Sequence, residues 1–63
     1  MIMLNGKESE TYENLTKLLE ENKFRREYIA VEINGVIISR ENYDMTAVND
    51  GDVVEVVAFM GGG

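Results

Sequence analysis

The chain has 63 residues, 44% of them apolar, with no Cys and no His. A chain this short makes one domain, buries roughly 60% of the surface its unfolded form exposes, and must hold by packing alone, because disulfides and thiol or imidazole metal sites are excluded. The net charge of −6 sits wholly in residues 27–63, since residues 1–26 carry five cations and five anions, and an acidic half of this kind excludes nucleic acid and anionic membrane as partners.

The first predicted element is a short apolar strand ending at Leu4. Asn5-Gly6 follows, and both residues tolerate the positive φ of a type I′ hairpin turn. Residues 7–10 then return as a polar edge strand, where charge discourages mispairing. Thr11 is the expected helix N-cap, with Glu13 in the first turn favourably placed against the helix dipole. Tyr12, Leu15, Leu18 and Leu19 form one helical stripe, with Tyr12 in the core or at its edge. The pattern fades after Lys23, which predicts a helix of about three turns. In residues 28–33, Ile29, Val31 and Ile33 alternate with Ala30 and Glu32, the period of a half-buried strand. Asn34-Gly35 turns the chain into Val36-Ile37-Ile38. Residues 40–45 lose the alternation and read as a loop or short helical turn. Asn49-Asp50-Gly51-Asp52 is a turn into a last strand over 53–60, and three glycines follow.

A single helix with an apolar stripe buries it only against a sheet. The order hairpin, helix, hairpin, connection, strand therefore predicts an α+β roll, with the helix laid across a mixed sheet of four or five strands. The last strand pairs beside the first only by running parallel to it through a long crossover. The expected division is a domain over 1–60 and a flexible glycine tail over 61–63.

Gly61, Gly62 and Gly63 are the candidate for chemistry; a glycine tail alone reads equally as a frayed terminus, and its place after a strand at the end of this element order favours the chemical reading. A terminal carboxylate is a poor electrophile until transfer of an adenylyl group from ATP makes it a mixed anhydride. To be adenylated it must enter a narrow enzyme site, and glycines, lacking side chains, thread such a site most easily. Extended, residues 60–63 reach roughly 13 Å beyond the strand.

Val31-Glu32-Ile33-Asn34-Gly35, Arg40-Glu41-Asn42-Tyr43, Asn49-Asp50-Gly51-Asp52 and Phe59-Met60-Gly61-Gly62-Gly63 resemble the corresponding stretches of thiamine-biosynthesis sulfur carrier proteins. The resemblance covers essentially the whole chain and implies the ubiquitin-like β-grasp fold. It also implies a cycle in which an E1-like adenylating enzyme uses ATP to activate Gly63. A persulfide enzyme then delivers sulfur, and the Gly63 thiocarboxylate passes it to thiazole synthase. By position Gly62 completes the diglycine, and Gly61 is one glycine more than the family needs. The chain is then a protein cosubstrate, not an enzyme, with no bound cofactor, and a monomer when free. Two alternatives share the fold and tail: a ubiquitin-like modifier joined to lysines, and the small subunit of molybdopterin synthase, whose chains tend to be longer.

Other candidates for chemistry are weaker. Ser9 and Ser39 have no evident general base. A calcium loop around Gly51 would put Thr46, Val48 and Val57 at positions that need oxygen ligands, so no metal site is expected. Lys23, Arg25 and Arg26 are too few and too mixed with acids for nucleic acid, and read as helix-end charge. On the last strand Val53, Glu55, Val57 and Phe59 share one face. If Glu55 marks that face as the outer one, Val57 and Phe59 form an apolar docking patch beside the tail, with Glu55, Asp50 and Asp52 as acidic contacts; packing of the pair into the core is the other reading. No stretch nears the roughly 18 apolar residues of a membrane span, and no leader pattern opens the chain, so a cytoplasmic location is expected.

Overall fold

The computed structural model describes residues 1–59. Strands β1 (Ile2–Leu4) and β2 (Lys7–Ser9) form the first hairpin, with Asn5 and Gly6 at φ 51° and 82°, the left-handed pair that a type I′ turn requires. Helix α1 (Leu15–Glu21) follows, and a 3-10 turn over Arg26–Tyr28 leads into β3 (Ile29–Ile33). Asn34 and Gly35 repeat the type I′ geometry at φ 53° and 84° before β4 (Val36–Ile38). A 3-10 helix over Arg40–Met45 and a turn closed by the Asp52 N–H donating to the Asn49 carbonyl (3.0 Å) lead to β5 (Val53–Ala58).

The five strands order as β2-β1-β5-β3-β4, with β5 parallel to β1 and antiparallel to β3. The central strand is therefore the last in sequence, and it joins the first hairpin to the second by pairing with β1 on one side and β3 on the other. Leu15, Leu18 and Leu19 pack onto the inner sheet face, where they meet Ile2, Ile29, Val31, Ile33, Val54 and Val56 in one core. This is the β-grasp roll, one main helix across a mixed sheet.

Three local expectations are corrected. The helix N-cap is Asn14, whose side chain accepts the Lys17 N–H at 2.8 Å, and not Thr11. A start at Thr11 would need the Leu15 N–H for the Thr11 carbonyl, but that N–H donates to the Thr46 carbonyl (2.9 Å) and ties the helix start to the long connection. Glu13 consequently lies outside the helix, no acid occupies the first turn, and the helix has seven residues, about two turns. The strands β2 and β5 end at Ser9 and Ala58, one and two residues earlier than the alternation suggested. Residue 60 and the expected boundary between the domain and the 61–63 tail lie outside the described residues.

The 40–45 segment contributes more than a connection. Tyr43 and, just beyond the segment, Val48 are buried in the core. Over the Tyr43 ring lies the Arg26 guanidinium, 5.2 Å from its centroid, which also donates to the Arg40 carbonyl (3.1 Å) and sits 3.7 Å from Asp44. Arg26 thus clasps the two 3-10 segments together, which gives part of the Lys23, Arg25, Arg26 cluster a structural role.

Candidate functional site

Alternation along β5 sends Val54 and Val56 into the core and leaves Val53, Glu55 and Val57 on the open face of the sheet. Phe59 continues that alternation past the end of the strand. Its N–H donates to the Tyr28 carbonyl (3.0 Å), so β5 stays tied to the sheet up to the last described residue. Val57 is 58% and Phe59 47% exposed. The outer-face reading of Glu55 therefore holds, and an apolar pair stands at the end of the described chain. Burying Val57 in the core would require a one-residue slip of β5, which would eject Val54 and Val56.

Asp50 and Asp52 are placed elsewhere. They precede β5, and a six-residue strand separates them from Phe59 by roughly 20 Å. Asp50 pairs with the Met1 ammonium, and the Met1 carbonyl accepts the Gly51 N–H (2.9 Å). Asp52 accepts from the Asn49 N–H (2.8 Å) and from Asn34 Nδ2 (3.0 Å), binding its own turn to the β3–β4 hairpin. Of the acids named from the sequence, Glu55 alone shares a surface with Val57 and Phe59.

Residues that sequence reasoning passed over complete that surface. In the β3–β5 ladder Ala30 lies opposite Val57 and Glu32 opposite Glu55, while Glu32 faces Ile37 across β4 and Met3 faces Val53 across β1. The open face thus carries Met3, Val53, Val57 and Ile37 around two adjacent carboxylates. Alternation in β3 already places Ala30 and Glu32 on the outer face, but only the cross-strand register sets Glu32 beside Glu55. Among the described residues no three acidic groups gather to hold a metal, and no helix is long and apolar enough to cross a membrane.

Gly61, Gly62 and Gly63 lie outside the described residues. Ala58 is paired to Ile29 and Phe59 is bonded to Tyr28, so the described chain ends at the Val57–Phe59 patch.

Comparison with known proteins is consistent across sequence and structure. Residues 2–63 match the model of the ThiS family. The chain is 35% identical to the sulfur carrier protein ThiS of Bacillus subtilis (strain 168), covering 100% of each. It is 41% identical over 64 residues to a thiazole synthase of Paramagnetospirillum magneticum, where it matches 98% of this chain but spans 20% of that relative's length. A crystal structure of the thiamine biosynthesis protein ThiS from Geobacter metallireducens superposes with a TM-score of 0.83 at 46% identity, covering 98% of this chain and 97% of that one.

Proposed function

The chain belongs to the ThiS family, and on that footing we propose that it is a sulfur carrier for thiamine biosynthesis whose working group is the Gly63 carboxylate. The observation that carries the proposal is the family match, which runs to residue 63 and so includes the three terminal glycines. In the proposed cycle a carboxylate oxygen of Gly63 attacks the α-phosphorus of ATP on an adenylating enzyme, and pyrophosphate leaves. The terminal sulfur of a persulfide then attacks the activated carbonyl and displaces AMP. A second thiol reduces the resulting S–S bond, and Gly63 is released as a thiocarboxylate. The protein supplies the acyl group and no catalytic side chain, which agrees with a chain lacking His and Cys.

The acceptor proposed is thiazole synthase. A protein of that name carries a segment 41% identical to this chain within its own length, and joining two functions in one polypeptide favours direct transfer between them. The partner's grip on the carrier is proposed to use Val57, Phe59 and Glu55, with Gly61 and Gly62 threading the active site. Asp50 and Asp52 contribute only to long-range steering, since both are engaged in the turn before β5.

Intact-mass measurement after incubation with the adenylating enzyme, ATP and a persulfide donor is expected to show one oxygen replaced by sulfur. Deleting Gly62 and Gly63 should abolish that change. An unchanged mass with every component active would refute the proposal.

A further inference from the structure

The two edges of the sheet are built differently. The β2 edge is Lys7-Glu8-Ser9, with charged side chains of the kind that discourage a neighbouring strand. At the other edge β4 is Val36-Ile37-Ile38, without a charge, a proline or a bulge. Both strands have three residues, so shortness protects them equally and charge protects only β2.

Backbone alternation shows what the β4 edge offers. The Asn34 N–H donates to the Val53 carbonyl (2.8 Å) and the Phe59 N–H to the Tyr28 carbonyl (3.0 Å), which marks these as hydrogen-bonded pairs of the β3–β5 ladder. In the same register Glu32 and Glu55 form such a pair, so the Glu32 backbone groups point at β5. Across β4, Glu32 and Ile37 are then a non-hydrogen-bonded pair. The N–H and C=O of Ile37 therefore point out of the sheet, and its side chain, 72% exposed, stands on the open face.

A second feature lies in the same row. Glu32 and Glu55 are like charges directly opposite each other, an arrangement that destabilises a sheet. Ile37, Glu32 and Glu55 run side by side across three strands. The isolated domain would be better off with a charge on its edge and without one of these acids.

We infer that β4 is a docking edge for an extended segment of a protein partner that carries Lys or Arg at the position beside Ile37. Such a segment pairs with the outward N–H and C=O of Ile37. Its cationic side chain lays an apolar stem over Ile37 and sets its charge against Glu32, with Glu55 one strand further on. A single occupant thus satisfies both the unguarded edge and the carboxylate pair. A second copy of the chain could offer its own β4 to the edge but leaves the carboxylate pair unanswered, because it brings the same acids and a net charge of −6, and two three-residue strands give little area for a stable dimer. Through β3, the three residues of β4 lie level with Val54, Glu55 and Val56, so a strand docked here runs alongside the carboxylate row and not beside Ala58.

The test uses the isotopically labelled full chain and two blocked pentapeptides, Val-Lys-Val-Lys-Val and Val-Glu-Val-Glu-Val, followed by NMR. The lysine peptide is expected to shift the Ile37 amide saturably and to slow its exchange with solvent, while the glutamate peptide does neither. Glu32→Gln and Glu55→Gln should each weaken the lysine peptide about two- to five-fold, and Ile37→Lys should abolish binding with the rest of the spectrum unchanged. No saturable shift at Ile37, equal binding of both peptides, or a larger effect at β2 overturns the inference. So does a concentration-dependent shift at Ile37 without peptide, accompanied by dimer in sedimentation, which would make a second copy the occupant. None of these readouts depends on sulfur transfer, so they stand or fall apart from the carrier proposal.

Discussion

Asn5 and Asn34 hold the left-handed positions of the two hairpin turns, and each also clamps β5. Asn5 Oδ1 accepts the Val56 N–H (2.8 Å), and Asn34 Oδ1 accepts the Val53 N–H (2.9 Å). β1 pairs with β5 only through Leu4, then turns away, so the Asn5 side chain takes the place of the missing strand at Val56. Glycine would suit the turn backbone at position 5 at least as well, yet it cannot accept that bond. Asn5→Gly is therefore expected to lower stability by about 1–2 kcal/mol in denaturant unfolding, the cost of leaving a half-buried N–H unpaired. Lys23 shows the opposite balance. The Phe24 N–H donates to the Leu19 carbonyl (2.8 Å) and the Lys23 N–H to the Glu20 carbonyl (3.1 Å), a Schellman ending that puts Lys23 at φ 62° where glycine is usual. Lys23→Gly should raise stability by about 0.5–1 kcal/mol, read as a shift of the unfolding midpoint at constant slope.

For the elements, the helix boundary is the sharpest test. Thr and Asn are both good caps, and the sequence offers Thr11 and Asn14 three residues apart. The Leu15 N–H chooses between them by bonding Thr46, a residue on the far side of the second hairpin. Asn14→Ala is expected to cost about 1 kcal/mol and Thr11→Ala close to nothing, measured on the same unfolding curve. The reverse order would place the helix start at Thr11. The strand β5 carries a comparable decision. Every second residue from Val53 is exposed, and the side facing the core is selected because Val54 and Val56 meet Leu15, Leu18 and Leu19, while Glu55 cannot.

On the scale of the whole molecule, the proposed docking assigns the acid excess and the apolar face to different steps of association. Charges attract a basic partner over about a Debye length, so they set the rate of encounter, whereas desolvated apolar contacts set the lifetime of the complex. On that proposal Glu55→Lys should slow association with the proposed adenylating enzyme, by a factor that shrinks as salt rises. Phe59→Ala should mainly speed dissociation while the fold persists, since Phe59 is outside the buried core. Surface plasmon resonance at low and high salt separates the two, and association that ignores salt would place the docking surface away from Glu55.

Local rules of chain geometry made much of this protein legible without its structure. Two Asn-Gly turns, a leucine stripe and period-two strands require only neighbours in sequence, and together they admit few arrangements other than one helix across one mixed sheet. Tertiary packing decided the rest. It moved the helix start from Thr11 to Asn14 through a bond to Thr46, buried Tyr43 and Val48 from a stretch without periodicity, and engaged Asp50 with the Met1 ammonium and Asp52 with Asn34. It also set Glu32 beside Glu55 and left Ile37 at an open edge. Each of these depends on which strand lies next to which and in what register, and a register is fixed by contacts between residues far apart in the chain.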